Sequence, residues 1–555
     1  MIFEIAAALT RKALPLQVSL SDLGNHRLRG IAFLELIYKT YHPNRQPDFP
    51  PLISLSAYKQ NLPVRLTSLI GRGRDLAGVK YLTKETYLLI LLLVLGLALR
   101  VVGTGSDSLW TDEFHTLTAA REAQLLTTGV PFDQHPPLYY VLMQGVVSLG
   151  SSEFWLRLPS VLFGTAGIVF MWRIGHVLGN KRMGFLAAAL YAFAPLLVWY
   201  SREARMYGMA SFFWAASLYF YFRTLYSDGR FDFMGLMLTT LAAILTTYAS
   251  FALWFLQMAL VYWFWQQGGG KRARLSRWLL AQMGIAAGIA LWWPFLMMQL
   301  SRSQIFYWQL PGPLASWIDL TGTLQQTLQR ALVTGIVLLL SALVLSIWLT
   351  KRPLSKRRAT QLGFILAVGA LGALFIVTLT GPIQRGLSIR RQLLVLLPPL
   401  ILLAAWALST QHQRWLARLV IALTLAATLV TVASPPYENW RAAIDHVSRR
   451  IGTADVIVTS PSWQLAALDY YYDGNHLRFG ANDVGELNVH RGQLDGSDAE
   501  TAVFAPLRRV WLLVNSHPAV LPYSQSIRSD LAATGQLVDT VSFANHVTLF
   551  VYDIK

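Results

Sequence analysis

The sequence predicts an all-α polytopic membrane protein of about 11 transmembrane helices, with a small soluble α/β domain at its C-terminal end. Three observations carry that prediction. The 555 residues are 54% hydrophobic and only 14% charged, with a mean hydropathy of +0.42, too apolar for an ordinary water-soluble chain of this length. Apolar runs such as 87–103 and 392–409 recur along the chain, each near the roughly 20 helical residues that a hydrocarbon core requires. Threaded through a bilayer, these runs leave every short basic loop on one side, as the retention of Lys and Arg in the cytoplasm demands.

Residues 1–85 lack the basic-then-apolar order of a signal peptide and carry scattered Pro, Arg and Lys. They are expected to be a cytoplasmic extension, either a disordered arm or an artefact of start-site choice. The basic approach of Arg65, Arg72, Arg74, Lys80 and Lys84 leads into span one, 86–104, and a first outer loop, 105–155. Within that loop 136–150 is apolar but short. As a full span it would turn the later basic loops outward, so it reads as a helix lying in the interface. Span two, 156–178, reaches Lys181 and Arg182 inside, and span three, 185–200, emerges at Ser201-Arg202-Glu203-Ala204-Arg205-Met206-Tyr207. Spans four (207–225) and five (231–248) bracket an inner turn at Asp228 and Arg230, and span six (250–267) returns to Lys271-Arg272-Ala273-Arg274. Span seven (278–299), an outer loop (300–328) and span eight (331–349) lead to the basic 351–358 inside. Span nine (361–380), an outer turn (381–391), span ten (392–409), the inner His412, Arg414 and Arg418, and span eleven (415–433) complete a transmembrane domain over 86–434.

Beyond it, 435–555 changes composition: apolar runs shorten and Asp, Asn and Gly appear. This is the expected extracytoplasmic domain, with helices over 440–451 and 464–472 and strands over 455–459, 509–515 and 546–553. The formal charge of +18 does not point to nucleic acid, because the basic residues sit in short loops between apolar runs, where they orient the chain and meet anionic lipid. With no cysteine, a disulfide framework and a thiolate metal site are both excluded.

Once topology accounts for the inner charges, the outer ones form the functional shortlist: Asp112, Glu113, His115, Asp133, His135, Arg202, Glu203, Arg205, Arg385, Arg390 and Arg391. Ionisable groups at membrane level are costly unless they pair or line an aqueous cavity, so their gathering on one side marks a polar site. In Trp110-Thr111-Asp112-Glu113, Thr111 or Asp112 is placed to cap a helix, and the acidic pair is either a capped helix start or a catalytic carboxylate held at the surface. His135-Pro136-Pro137-Leu138-Tyr139-Tyr140 aims His135 from a stiff backbone, as a plain loop residue or as a donor to a phosphate oxygen. Tyr200, Glu203 and Tyr207 would share one face of a helix, with Arg202 and Arg205 beside them. Arg385, Arg390 and Arg391 run against the positive-inside trend, either as interface anchors or as phosphate ligands.

Taken in order, Trp110-Thr111-Asp112-Glu113, His135-Pro136-Pro137-Leu138-Tyr139-Tyr140, Arg157-Leu158-Pro159-Ser160 and Tyr200-Ser201-Arg202-Glu203-Ala204-Arg205-Met206-Tyr207 resemble the GT-C superfamily. The resembling branch, over roughly 86–440, is that of dolichyl-phosphate-mannose-protein mannosyltransferases and lipid A aminoarabinose transferases, akin to glycosyltransferase family 39. The resemblance implies an inverting glycosyltransferase of the plasma (inner) membrane, moving a sugar from a polyprenyl-phosphate donor to a hydroxyl on a lipid, glycan or protein acceptor at the outer face. It implies catalytic roles for Asp112, Glu113 and Glu203, and donor-phosphate contacts from His135, Arg205 and Arg390 or Arg391. The relatives' Arg-Tyr is Arg-Arg-Gln here, which leaves the choice between Arg390 and Arg391 open. Tyr139, Tyr200 and Tyr207 are the candidate substrate-binding aromatics. A divalent cation, Mg or Mn, bridging Asp112 and Glu203 to the phosphate stays open beside direct Arg contacts.

The chemistry suits these residue types. Displacement at the anomeric carbon needs one carboxylate to take the acceptor proton, and the leaving phosphate needs its growing charge stabilised rather than an acid. A polytopic transporter or lipid flippase is the alternative, since many spans with sparse charges serve transport equally well, but it would put the functional charges near mid-span.

Overall fold

The structure, a computed structural model, describes residues 2–3, 14, 18–27, 34–41, 73–122, 135–226, 229–251, 253–254, 257–258, 272–303, 394, 397–410, 414–434, 438–481, 487–489, 508–517, 521–543 and 546–554. The chain divides into two units, Met1–Thr86 and Tyr87–Lys555. In the first, where a disordered arm is one expectation, strands pair instead: β1 (Ile2–Phe3), β2 (Ser19–Arg27) and β3 (Leu34–Tyr41) form an antiparallel sheet in the order β1-β3-β2. Leu34, Leu36 and Tyr38 recur at period 2 along β3, a local strand pattern that the Pro- and Lys-bearing composition of the whole segment conceals.

The first predicted span, 86–104, is carried by helix α1 (Gly73–Val101), which ends three residues short of the span's end. Two helices follow in the stretch expected to be the first outer loop, α2 (Thr111–Arg121) and α3 (Leu138–Leu149), the latter over the part read as interfacial. α4 (Glu153–Leu178) carries span two and begins early because the Ser152 hydroxyl caps it, accepting the Trp155 N–H at 3.4 Å.

Span three is not one helix. It is α5 (Lys181–Ala192) and α6 (Pro195–Ser201), bent by 54°. Pro195 has no N–H to donate, and its ring excludes the carbonyl four residues back. Carbonyls freed at the break must find donors inside the fold. Arg100, fully buried on α1, bonds the carbonyls of Ala192 (3.0 Å) and Tyr191 (3.4 Å), and the Thr428 hydroxyl bonds that of Phe193. The guanidinium thus faces the negative end of α5.

α7 (Tyr207–Tyr226), α8 (Arg230–Thr246), α9 (Arg272–Ser303), α10 (Leu397–Thr410) and α11 (Arg414–Ala433) match spans four, five, seven, ten and eleven. Among the described residues three helices are long and apolar enough to cross a membrane, or four with the bent pair taken as one span. Spans eight and nine, most of span six, and Arg385, Arg390 and Arg391 lie outside the described residues. α4 and α5 meet backbone to backbone: a Cβ on Gly175 would lie 2.5 Å from the Gly184 Cα. Small residues permit such close helix crossings where lipid offers no competing hydrophobic drive.

The C-terminal domain opens with α12 (Trp440–Ser448) and builds a mixed six-stranded sheet. The strands are β4 (Asp455–Ser460), β5 (Arg478–Ala481), β6 (Leu487–Val489), β7 (Arg509–Asn515), β8 (Gly535–Phe543) and β9 (Val547–Ile554), in the order β6-β5-β4-β7-β9-β8. β4 pairs in parallel with β5 and β7, while β9 runs antiparallel to β7. Helices α13 (Leu465–Tyr471) and α14 (Gln525–Thr534) complete it. The last strand starts at Val547 rather than His546, whose φ of 71° is left-handed. Alternation along the strands divides two cores: Val456, Val458, Val510, Leu512 and Val514 pack with Leu531 of α14. Ile457, Trp511 and Leu513 face the other way and join one continuous core with α12, α13, Phe114 of α2 and the membrane helices.

Candidate active site

α2 presents the first acidic pair. Its N-cap is Trp110, not Thr111 or Asp112, because Glu113 reaches back and accepts the Trp110 N–H at 3.2 Å. The same carboxylate, 1% exposed, accepts from Arg157 through Nε (2.7 Å) and Nη2 (2.6 Å) and from the Ala204 N–H (2.7 Å). Four donors fill its lone-pair sites. Arg157, on the first turn of α4, gives its remaining N–H groups to the carbonyls of Thr104 (2.9 Å), Asp107 (2.8 Å) and Ser108 (3.0 Å). One guanidinium therefore joins the chain after α1, the start of α2 and, through Glu113, the turn before α7. Glu113 stands enclosed as a hub. Asp112, next to it, is only partly buried. The sequence reading gave Arg157 no role, although an ionisable residue at the start of an apolar helix was the available signal.

Tyr200, Glu203 and Tyr207 do not share a helical face, because α6 ends at Ser201 and the chain turns before α7. The turn nevertheless brings the Tyr200 and Tyr207 rings together edge to face at 4.9 Å. Arg202 and Arg205 diverge. Arg202 pairs with Asp107 at 3.2 Å, over Gly103, whose φ of 78° and missing Cβ leave room for both side chains. Arg205, 3% exposed, directs Nη1 to the Asp112 carbonyl (3.3 Å) and to the hydroxyls of Thr116 (3.2 Å) and Tyr140 (3.4 Å). Glu203 is 9% exposed.

Tyr139 is fully buried, its hydroxyl 3.0 Å from Ser160 Oγ. Ser160 donates its single proton to the Arg205 carbonyl at 2.8 Å, so Tyr139 is the donor in their bond. Tyr139 reaches the Arg205 backbone through Ser160, one residue from the Ala204 N–H that Glu113 accepts. Asp112, Glu113, Glu203, Arg205, Tyr139, Tyr200 and Tyr207 are thus one neighbourhood. His135 is tethered through its carbonyl, which accepts from Gln299 Nε2 on α9 at 3.1 Å. Gln299 in turn accepts from Tyr248 (2.5 Å), and Tyr248 from Trp292 (2.9 Å). Among the described residues no group of three or more His, Cys, Asp or Glu side chains is placed to hold a metal ion.

Residues 134–298 match the family described as Dolichyl-phosphate-mannose-protein mannosyltransferase. Among solved structures, the chain is similar to ArnT from Cupriavidus metallidurans in the apo state, with 14% identity over 86% of this chain and 98% of that one and a TM-score of 0.51. ArnT from the same organism bound to undecaprenyl phosphate aligns at 13% identity over 83% and 97%, with a TM-score of 0.48. The S. cerevisiae protein O-mannosyltransferase Pmt1-Pmt2 complex bound to the sugar donor aligns at 19% over 39% and 34%, with a TM-score of 0.34. No curated protein matches the chain. The family match over residues 134–298 and the shared ArnT fold make the chain similar to multi-pass membrane glycosyltransferases. Its resemblance, as the four motifs imply, is to the protein mannosyltransferase and ArnT branch.

Proposed function

We propose that the protein is an inverting transferase that moves a sugar from a polyprenyl-phosphate donor to a hydroxyl acceptor, with Asp112 as general base. The observation that carries this reading is the setting of Asp112. It is a partly buried carboxylate between two anchored residues at a helix N-terminus, with the Arg205 guanidinium against its own carbonyl. Rigid support of this kind is what a group needs in order to meet a reacting hydroxyl in productive geometry.

Asp112 takes the acceptor proton as the hydroxyl oxygen attacks the anomeric carbon, and the bond to the donor phosphate breaks on the opposite face. His135, Arg205 and Arg390 or Arg391 stabilise the charge that grows on that phosphate. Glu113, closed in by four donors, positions Asp112 and does not itself act. Tyr200 and Tyr207 offer an aromatic surface to the sugar or lipid; Tyr139 braces Arg205 through Ser160. Asp112 and Glu203 would hold a Mg or Mn ion, which would supply Lewis-acid stabilisation of the phosphate charge. The site opens on the outer face of the plasma membrane, with about 11 spans beneath it and the C-terminal domain outside.

The test is transfer from a panel of radiolabelled polyprenyl-phosphate sugars to lipid, glycan and peptide acceptors by purified protein in lipid, with Asp112→Asn alongside. Transfer from one donor, abolished in a folded Asp112→Asn, supports the reading. Turnover retained in Asp112→Asn would sink the general-base assignment.

A further inference from the structure

Thr111, the residue before Asp112, is held from the far end of the chain. Its backbone N–H and its hydroxyl both reach Glu438 Oε2, at 3.0 and 2.7 Å. Because that hydroxyl has one proton, its contact with Gln464 at 2.8 Å is a bond it accepts from the Gln464 amide. Glu438 is 2% exposed and is itself aimed by two residues of the C-terminal domain, Trp440 Nε1 at 2.6 Å and Asn515 Nδ2 at 2.9 Å. A helix start leaves backbone N–H groups without intrahelical partners, and here two are met by side chains: Glu113 takes that of Trp110 and Glu438 that of Thr111.

We infer that Glu438 is a positioning residue for the transfer reaction, through which the C-terminal domain fixes the backbone that carries Asp112. The inference rests on the reading of Asp112 as general base. It goes beyond that reading by making the domain part of the catalytic apparatus. Asp112 is the residue between Thr111, gripped by Glu438, and Glu113, gripped by Arg157; its carboxylate can swing only about its own side-chain bonds. Releasing the Thr111 grip frees the first turn of α2 and with it the position of the base. The donor phosphate contacts are His135, which stands just before α3 with its carbonyl held by Gln299, and Arg205, which keeps its bonds to Thr116 and Tyr140 when the one to the Asp112 carbonyl loosens. The loss therefore falls on turnover and not on donor affinity.

The experiment measures kcat and KM for the polyprenyl-phosphate sugar in Glu438→Ala, Glu438→Gln, Thr111→Val and the double variant Thr111→Val/Glu438→Ala, with Asp112→Asn in parallel and all in the full-length protein. Glu438→Ala is expected to lower kcat by up to about 100-fold, since small misplacements of a reacting group cost that much, with KM within about twofold. Glu438→Gln keeps an acceptor oxygen toward Thr111 and should restore most of the loss. Thr111→Val removes the hydroxyl's bonds with Glu438 and Gln464 but keeps the backbone N–H bond to Glu438, so it should cost less, and the loss in the double variant should fall short of the product of the single losses. Should Glu438→Ala not fold, Thr111→Val carries the test on the same split between kcat and KM. Unchanged kcat in Glu438→Ala and Thr111→Val, a loss confined to KM, or losses that multiply in the double variant would overturn the positioning role. Turnover lost in Asp112→Asn but untouched in the Glu438 and Thr111 variants overturns this inference alone, whereas turnover surviving Asp112→Asn overturns the site reading and this inference with it.

Discussion

Arg157 and Glu113 face each other as a two-point buried pair, at 2.7 and 2.6 Å, although 44 residues separate them in sequence. Two charges withdrawn from water gain little net stability from each other alone, because desolvation offsets most of the attraction. What this pair adds is connection. The remaining donors of Arg157 hold the carbonyls of Thr104, Asp107 and Ser108, and the remaining capacity of Glu113 holds the N–H groups of Trp110 and Ala204.

Removing either partner strands the other charge. Glu113→Ala or Arg157→Ala is expected to lower stability by about 3–5 kcal/mol, the usual cost of breaking a buried pair, while Asp112→Asn should leave the unfolding midpoint nearly where it was. Thermal unfolding of the three variants in one detergent checks this. Equal midpoints for Glu113→Ala and the wild type would show that the network is not holding these segments.

Much of the architecture was legible in the sequence, and the misses have physical causes. β7 was read with both of its ends because Val510-Trp511-Leu512-Leu513-Val514 is an unbroken apolar run. Span three was read as continuous because Pro195 leaves hydropathy high while removing the N–H a helix needs. The motif resemblance singled out Asp112, Glu203 and Arg205, and the structure sets the Arg205 guanidinium against the Asp112 carbonyl. It could not divide Asp112 from Glu113, since that division depends on Arg157. Glu438 left no local signal at all: its partner Thr111 is 327 residues away, and a single carboxylate after a loop looks solvated until the sheet folds over it.

Helix contact inside the membrane gives a second prediction. A methyl on Gly175 would meet the Gly184 backbone, N at 2.6 Å and Cα at 2.5 Å, and backbone cannot rotate away as a side chain can. Gly175→Ala should therefore part α4 from α5 and cost about 1–3 kcal/mol, the range for overpacking. Gly145→Ala, where nothing lies within 4 Å of the added methyl, is the control expected to match the wild type. Matching unfolding midpoints for the two variants would contradict the close crossing.

The C-terminal domain also grips the chain two residues upstream of Thr111. The Tyr471 hydroxyl accepts the buried Leu109 N–H at 2.8 Å and donates to Glu153 Oε1 at 3.1 Å. Tyr471→Phe leaves that N–H without its acceptor, at a cost of about 1–3 kcal/mol. Tyr470→Phe, which loses one exposed bond to the Ser151 carbonyl, should cost less. Comparing the two midpoints decides whether the Leu109 contact is structural, and a larger loss in Tyr470→Phe would count against it.

Glu438 makes the grip on Thr111 depend on pH. Burial pushes its carboxyl above the usual range, and the donors from Trp440, Thr111 and Asn515 pull it only part of the way back. A pKa higher in the folded than in the unfolded state means that folding favours the proton. The contribution to stability is then complete below the unfolded value of about 4.3 and is lost as the pH rises through the raised folded value. Glu438→Gln has no proton to lose at this position. The unfolding midpoint of the wild type, measured relative to Glu438→Gln, is therefore expected to fall as the pH is raised from about 4.3 toward neutrality. Thermal scans of both proteins across that interval read the difference directly. A difference that stays flat, or that grows with pH, would mean that the four donors outweigh burial and that Glu438 grips Thr111 as a carboxylate throughout.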